Sequence, residues 1–176
     1  MNKSTKSKKF TQNIYLFGHI NFDSAKSVIQ EIDLANKNEE CEDILITICS
    51  GGGSLVSAFA ICEHIRLSKK NVNCLATGWC GSAAIVVLQF GQERIATEIT
   101  RFLLHPSSHN AEDMSYEELK RYTEHAEIQY QQFVNLTIGR CGISKLEFEK
   151  QCSPVKMLTA QEALKFGKNG LVDKVI

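Results

Sequence analysis

Two prolines in 176 residues leave no room for a proline-rich linker or a collagen-like segment. Charge of one sign is missing too. Twenty Lys and Arg stand against twenty Asp and Glu, so no overall field holds a nucleic acid or an anionic membrane. The longest apolar run, Ala83–Leu88, falls far short of the roughly 20 residues of a membrane helix. The seven cysteines, at 41, 49, 62, 74, 80, 141 and 152, include no C-x-x-C pair, which argues against a structural zinc or a redox centre. Their odd number suits small core hydrophobes in a reducing compartment. Met1–Phe10 carries Lys3, Lys6, Lys8 and Lys9 without the apolar stretch of a secretory signal. The expectation is a cytoplasmic protein with no bound cofactor or metal.

The hydrophobic share of 43% and the charged share of 23% suit one globular domain with a real core. Residues 1–12 read as a flexible lysine-rich arm and 13–176 as the single folded domain. Asn13–Phe17 predicts a strand ending at Gly18. Ala25, Val28, Ile29, Ile32 and Ala35 then recur at helical spacing behind a cap at Asp23 or Ser24. Asp43–Cys49 predicts a second strand, β-branched and buried on both faces, running into Gly51-Gly52-Gly53 and a helix with Leu55, Phe59, Cys62 and Ile65 on its stripe. A third unit follows as Val72–Thr77, Gly78 and an apolar helix over Ser82–Phe90.

Short strands are predicted at Arg94–Ala96 and Arg101–His105. Ser115-Tyr116-Glu117-Glu118 opens a long helix to Gly139 with a capping-box match. The polar middle of that helix separates its apolar positions, so part of it should pack outside its own domain. Short helices at Ser144–Lys150 and Thr159–Phe166 and a strand at Leu171–Ile176 complete an α/β alternation.

Glycine clusters between strand and helix bring backbone N–H groups to one point. Ser50-Gly51-Gly52-Gly53-Ser54 lacks the lysine and spacing of a phosphate loop. It can be a tight turn or an oxyanion hole. Gly78-Trp79-Cys80-Gly81-Ser82 ends in a serine that could be no more than a helix cap. Gly81 permits an unusual backbone before it, and Ala83 and Ala84 leave space over it, which favours a nucleophile. The spacing is not the G-x-S-x-G elbow, because Ala84 stands at the second glycine position. A serine nucleophile needs a base, usually histidine. His19, His64 and His125 read as structural. His105, at the end of Phe102-Leu103-Leu104 and before Pro106, is favoured over His109.

These pieces, in this order and with the late Thr159-Ala160-Gln161-Glu162-Ala163 and Gly170-Leu171-Val172-Asp173 segments, resemble the proteolytic subunit family of the Clp protease, from about Ile14 to Ile176. The resemblance implies a serine endopeptidase with Ser82 as nucleophile, His105 as base, and the backbone N–H groups of Gly53 and Ala83 as oxyanion hole. It implies a Clp-protease/crotonase-type spiral of repeated β-β-α units with a projecting handle at about 107–139. It also implies a homo-oligomer of two stacked heptameric rings that encloses unfolded polypeptide and is fed by an ATP-driven AAA+ unfoldase or completed by a second Clp-type subunit.

The chain departs from the family pattern in three places. Val155 stands where the family has its catalytic acid. The amino end offers a short lysine-rich arm in place of an axial loop, and Ser107-Ser108-His109-Asn110 replaces a glycine-rich segment. Loss of the acid in a Ser-His-Asp enzyme costs up to about ten-thousandfold in rate. Three readings of that loss stand open: a Ser82–His105 dyad helped by a backbone carbonyl or water, an acid from elsewhere, or a subunit weak by itself. Two alternatives to the peptidase are a structural or regulatory ring subunit and a crotonase-type enzyme acting on acyl-CoA.

Overall fold

The computed structural model describes residues 9–106, 114–153 and 155–176. Residues 1–8 of the predicted arm, the segment 107–113 with His109, and Pro154 lie outside the described residues. β1 spans Phe10–Ile20, so Phe10, Thr11 and Gln12, assigned to the arm by sequence, already belong to a strand. They do so because Phe10 pairs with Cys41 and Gln12 with Ile44. A lone polar segment has no such signal in its own sequence.

α1, Phe22–Lys37, is capped by Asn21 rather than by Asp23 or Ser24. The Asn21 side chain accepts from the Ser24 N–H, and Ser24 Oγ accepts from the Asn21 N–H, a reciprocal box in which serine takes the Glu position. β2 (Cys41–Gly53), α2 (Leu55–Leu67), β3 (Asn71–Gly81) and α3 (Ala83–Gln89) repeat the alternation. β4 (Arg94–Ala96), β5 (Arg101–Leu104), α4 (Tyr116–Cys141), α5 (Lys145–Cys152), β6 (Lys156–Thr159), α6 (Ala160–Leu164) and β7 (Lys174–Val175) complete the chain. β6 was not foreseen, and β7 is shorter than the predicted Leu171–Ile176.

The main sheet has the order β1-β2-β3-β4-β7, all parallel. Along β2, Ile44, Ile46 and Ile48 are fully buried while Leu45, Thr47 and Cys49 are half-buried, as expected of a strand covered on both faces. β3 has two partners. Its first half, Cys74–Ala76, pairs with β4, and its second half, Trp79–Gly81, pairs with β5. Gly78, at φ +62, separates the halves. The Thr97 N–H and the Thr100 hydroxyl both donate to the Ala76 carbonyl, which steers the chain from β4 back toward the second half. This handover is the step of the spiral. β6 then runs antiparallel to β5, with Leu104 opposite Lys156.

α4 is the 26-residue helix the capping box announced. Glu118 and Ser115 satisfy each other's backbone N–H, and Gly142 ends the helix in the left-handed region. Phe133, Val134, Thr137 and Cys141 pack into the core, whereas Tyr116, Leu119, Tyr122 and Ile128 stay exposed. The helix is therefore anchored by its second half. All seven cysteines are free and all but Cys49 are buried. Burial pushes the Cys74 thiol up to about 12, which fits the role of small inert core groups.

The carboxyl end is tied down by one buried cation. The Arg94 side chain is 3% exposed. Its Nε donates to Asp173 Oδ2 at 3.0 Å, its Nη1 to Gln89 Oε1 at 2.8 Å and to the Gly170 carbonyl at 3.0 Å, and its Nη2 to Asp173 Oδ1 and to the Asn169 carbonyl. Burial pushes the Asp173 carboxyl up, but the hydrogen bonds and charge of Arg94 outweigh it and hold the group below the ordinary aspartate range. Its stabilising contribution is thus present above the unfolded pKa, near 4, and is lost as pH falls through the lower folded value. Asp173→Asn should cost about 1 kcal/mol at pH 7, because the guanidinium is buried and keeps its other acceptors while the carboxylate is 37% exposed and screened by solvent. In urea titrations the gap between wild type and variant should close below pH about 4; a pH-independent gap would show that charge is not the cause.

Candidate functional site

β3 enters the site through Gly81 and Ser82. Ser82 has φ 51 and ψ −126 and is the one described non-glycine residue with positive φ. The sequence pointed to Gly81 as the residue with unusual backbone, but the left-handed φ falls on the serine itself. Gly81 has a different reason to be glycine. A Cβ there would sit 3.2 Å from Leu103 Cβ and 3.2 Å from Trp79 Nε1. Such a serine costs about 1–3 kcal/mol. The Ser82 N–H donates to the Leu103 carbonyl at 2.8 Å, and its carbonyl accepts from the Ile85 N–H at 2.9 Å. All of α3 behind it is buried. Burying Ile85, Val86, Val87 and Leu88 is worth about 1.5–3 kcal/mol each, enough to offset the turn. The Ser82 hydroxyl makes no capping hydrogen bond, so the bland reading of this serine as a cap does not apply.

The glycine run of β2 lies directly against this turn. A Cβ on Gly52 would fall 2.7 Å from Ser82 Cβ and 2.8 Å from Ala83 N. Only a hydrogen fits there. Gly52, at φ +98, donates its N–H to the buried Ser50 hydroxyl at 3.0 Å. Gly53, at φ +146, backs onto the His19 ring: a Cβ would come within 2.7 Å of its Cε1. The Ser54 N–H donates to the Ile20 carbonyl. It is thus Gly52 whose backbone lies against the Ser82–Ala83 turn, while Gly53 faces β1; Gly53 lines the cleft beside Ser82 and Ala83 does not.

His105 follows β5 by one residue. Gly81 is opposite Leu103 across the parallel β3–β5 pair, so the residues just beyond both strand ends, Ser82 and His105, reach the same rim. His105 Nδ1 is 2.6 Å from the Pro106 carbonyl. A carbonyl can only accept, so Nδ1 carries the proton, and in the neutral ring Nε2 is left with its lone pair. The antiparallel register of β5 and β6 pairs Leu103 with Met157 and Leu104 with Lys156. Continued by one residue, it sets position 155 across from His105. Val155 is half exposed, at 50%, and supplies no acceptor.

A cleft of about 690 Å³ opens here, and Ser82, His105 and the Gly51–Gly53 turn all line it. His19 and His125, read from sequence as structural, line it as well, together with Tyr122 and Gln129 of α4. Tyr122, His125 and Gln129 are spaced by three and four residues along the helix, and that helical spacing was the signal that could have found them. No carboxylate is among the described residues of the cleft. His64 stays apart, its Nδ1 2.9 Å from the Ala60 carbonyl on its own helix. Among the described residues no cluster of three or more His, Cys, Asp or Glu could hold a metal ion.

A mostly parallel α/β sheet whose strand–helix turns gather one strained serine, histidine and glycine backbone at a single cleft is the layout of a hydrolytic or acyl-binding protein. The sequence pattern of the Clp protease family matches residues 3–176. Among similar proteins, ATP-dependent Clp protease proteolytic subunit 3 of Frankia casuarinae is 28% identical over 165 residues, 93% of this chain and 76% of that protein. The protein of the same name from Rhizobium johnstonii is 32% identical over 65% of this chain and 60% of its own length. ATP-dependent Clp protease proteolytic subunit 1 of Protochlamydia amoebophila is 26% identical over 94% of this chain and 81% of its own length. The chain belongs to the Clp protease family.

The close approach at Gly52 makes a contrast that thermal unfolding can measure. Gly52→Ala should destabilise by about 1–3 kcal/mol through overpacking against Ser82. A Cβ at Gly51 meets only the Trp79 ring, at 3.6 Å, so Gly51→Ala should cost less than about 1 kcal/mol. Equal losses in the two variants would remove the claim that Gly52 positions the serine turn.

Proposed function

We propose that the chain is a Clp-type serine endopeptidase subunit that cleaves unfolded polypeptide through an acyl-enzyme on Ser82. The observation that carries this is the strained Ser82 sharing a cleft with a histidine whose Nδ1–H is engaged by the Pro106 carbonyl. In the neutral ring Nε2 is then the proton acceptor. It takes the proton from Ser82 as Oγ attacks the substrate carbonyl, and returns it to the departing amine. The N–H groups of Gly53 and Ala83 receive the developing oxyanion. Water, deprotonated by the same imidazole, releases the acyl group. The Pro106 carbonyl orients the ring as an acid would but brings no negative charge to stabilise the imidazolium.

The same reading includes assembly. The exposed apolar positions Tyr116, Leu119, Tyr122 and Ile128 in the first half of α4 suit a handle that joins two stacked rings of a homo-oligomer, a cytoplasmic chamber fed by an AAA+ unfoldase. The folded domain is taken to begin with β1 at Phe10 and to run to Ile176. A second reading, a ring subunit of low or no activity completed by a partner subunit, is favoured by Val155. The crotonase-type alternative draws no support from the cleft, since its described lining holds no carboxylate.

A fluorophosphonate should label Ser82 in the assembled protein, and Ser82→Ala should abolish the labelling. No labelling of an assembly verified by light scattering would remove the endopeptidase reading. Val155→Asp should raise peptide hydrolysis by roughly ten- to a thousandfold, within the contribution of a triad acid. A rate that stays near zero would favour the inactive subunit.

A further inference from the structure

Trp79 is the chain's single tryptophan, and β3 carries it shortly before Gly81. The regular pairing of Trp79 with Arg101, Cys80 with Phe102 and Gly81 with Leu103 puts the fully buried Cys80 and Phe102 on one face of the strands and Trp79 and Gly81 on the other. The neighbouring strand brings a second glycine to that face. Ser50 pairs with Cys80, so Gly51 comes beside Gly81, and a Cβ on Gly81 would lie 3.3 Å from the Gly51 carbonyl oxygen. The indole fills the space that two missing side chains leave. Its Nε1 is 3.2 Å from where a Cβ of Gly81 would stand and 3.6 Å from that of Gly51. Trp79 is half-buried and is not among the residues that line the cleft.

Consecutive glycines have no side chains of their own to hold a conformation, so each residue of the Gly51–Gly53 run depends on a neighbour. Gly52 is held by the Ser50 hydroxyl and by its close approach to Ser82, and Gly53 by close packing on Ile20 and His19. For Gly51 the neighbour is Trp79. The same ring braces Gly81, the residue that leads into the strained Ser82. Resting on the peptidase reading of the cleft, we propose that Trp79 is a positioning residue that keeps the glycine turn in register with the Ser82 turn, so that amide donors and nucleophile meet the substrate carbonyl together. An oxyanion hole stabilises charge only when its donors are already in place, and a displacement of about 1 Å at the reacting groups costs up to about a hundredfold in rate. A rigid ring suits this task because it spans both backbones on few rotatable bonds.

In Trp79→Ala, kcat for a peptide substrate should fall on the order of ten- to a hundredfold, while KM stays within about twofold because the indole touches no substrate. Fluorophosphonate labelling of Ser82 should slow by the same factor. Trp79→Phe should recover part of both losses, since a smaller ring still lies over Gly81. Amide hydrogen exchange followed by mass spectrometry gives a readout that needs no turnover: in Trp79→Ala the peptide covering 50–54 should exchange faster, with peptides from α1 and α5 unchanged. If Trp79→Ala does not fold, Trp79→Leu, apolar but not flat, takes its place. Unchanged kcat with unchanged exchange at 50–54, an effect confined to KM, or exchange raised equally across the main sheet would overturn the proposal. Wild-type protein that neither labels nor cleaves would remove the peptidase reading, and the exchange of the glycine turn then decides the role of Trp79 by itself.

Discussion

Ser82 is held in a left-handed backbone conformation from two sides. Behind it, α3 is buried along its whole length, so the helix cannot shift to relax the turn without exposing aliphatic surface. In front, Gly52 presents a bare Cα where any side chain would strike Ser82 and the start of α3. The hydrogen bond from Ser82 N–H to the Leu103 carbonyl adds β5 to the same fixture. The Ser82 turn, the Gly51–Gly53 run and the β5 exit are therefore one object, and the cleft inherits its shape from it. The strain of about 1–3 kcal/mol is small beside the burial of α3, which is why the turn persists.

The same strand pairings set what faces His105. Position 155 comes opposite His105 because β6 runs antiparallel to β5, and a side-chain acceptor there would be within cross-strand reach of the imidazole. With valine in that position, the Pro106 carbonyl engages Nδ1. That contact orients the ring without bringing a negative charge to it. The Arg94–Asp173 cluster acts at a distance from this chemistry. It closes the carboxyl end onto β4, and β4 occupies the first half of β3, leaving the second half for β5.

Much of this was legible in the residues. The βα alternation, the capping box of α4 and the mostly buried cysteines followed from periodicity and local hydrogen-bonding rules, which act within a few residues of each other. Val155 was visible as a missing acid because the neighbouring Leu158-Thr159-Ala160 segment fixed the comparison. The pairing of Phe10–Gln12, the strand β6 and the Asn21 cap were not visible. Each depends on a partner or an exchange of side-chain roles that a hydrophobic pattern does not encode. Gly81 drew attention for a freedom that the fold uses at Ser82, because the constraint comes from Gly52 one unit earlier.

The linear chain by itself determined the class of fold, the serine and histidine worth watching, and the absence of an acid at 155, since these rest on residue type and short-range order. Only the tertiary structure decided that His19 and His125 join the cleft and which residue bears the strained φ. Those outcomes depend on which strands lie side by side and on how close two backbones come, and residues far apart in sequence set both.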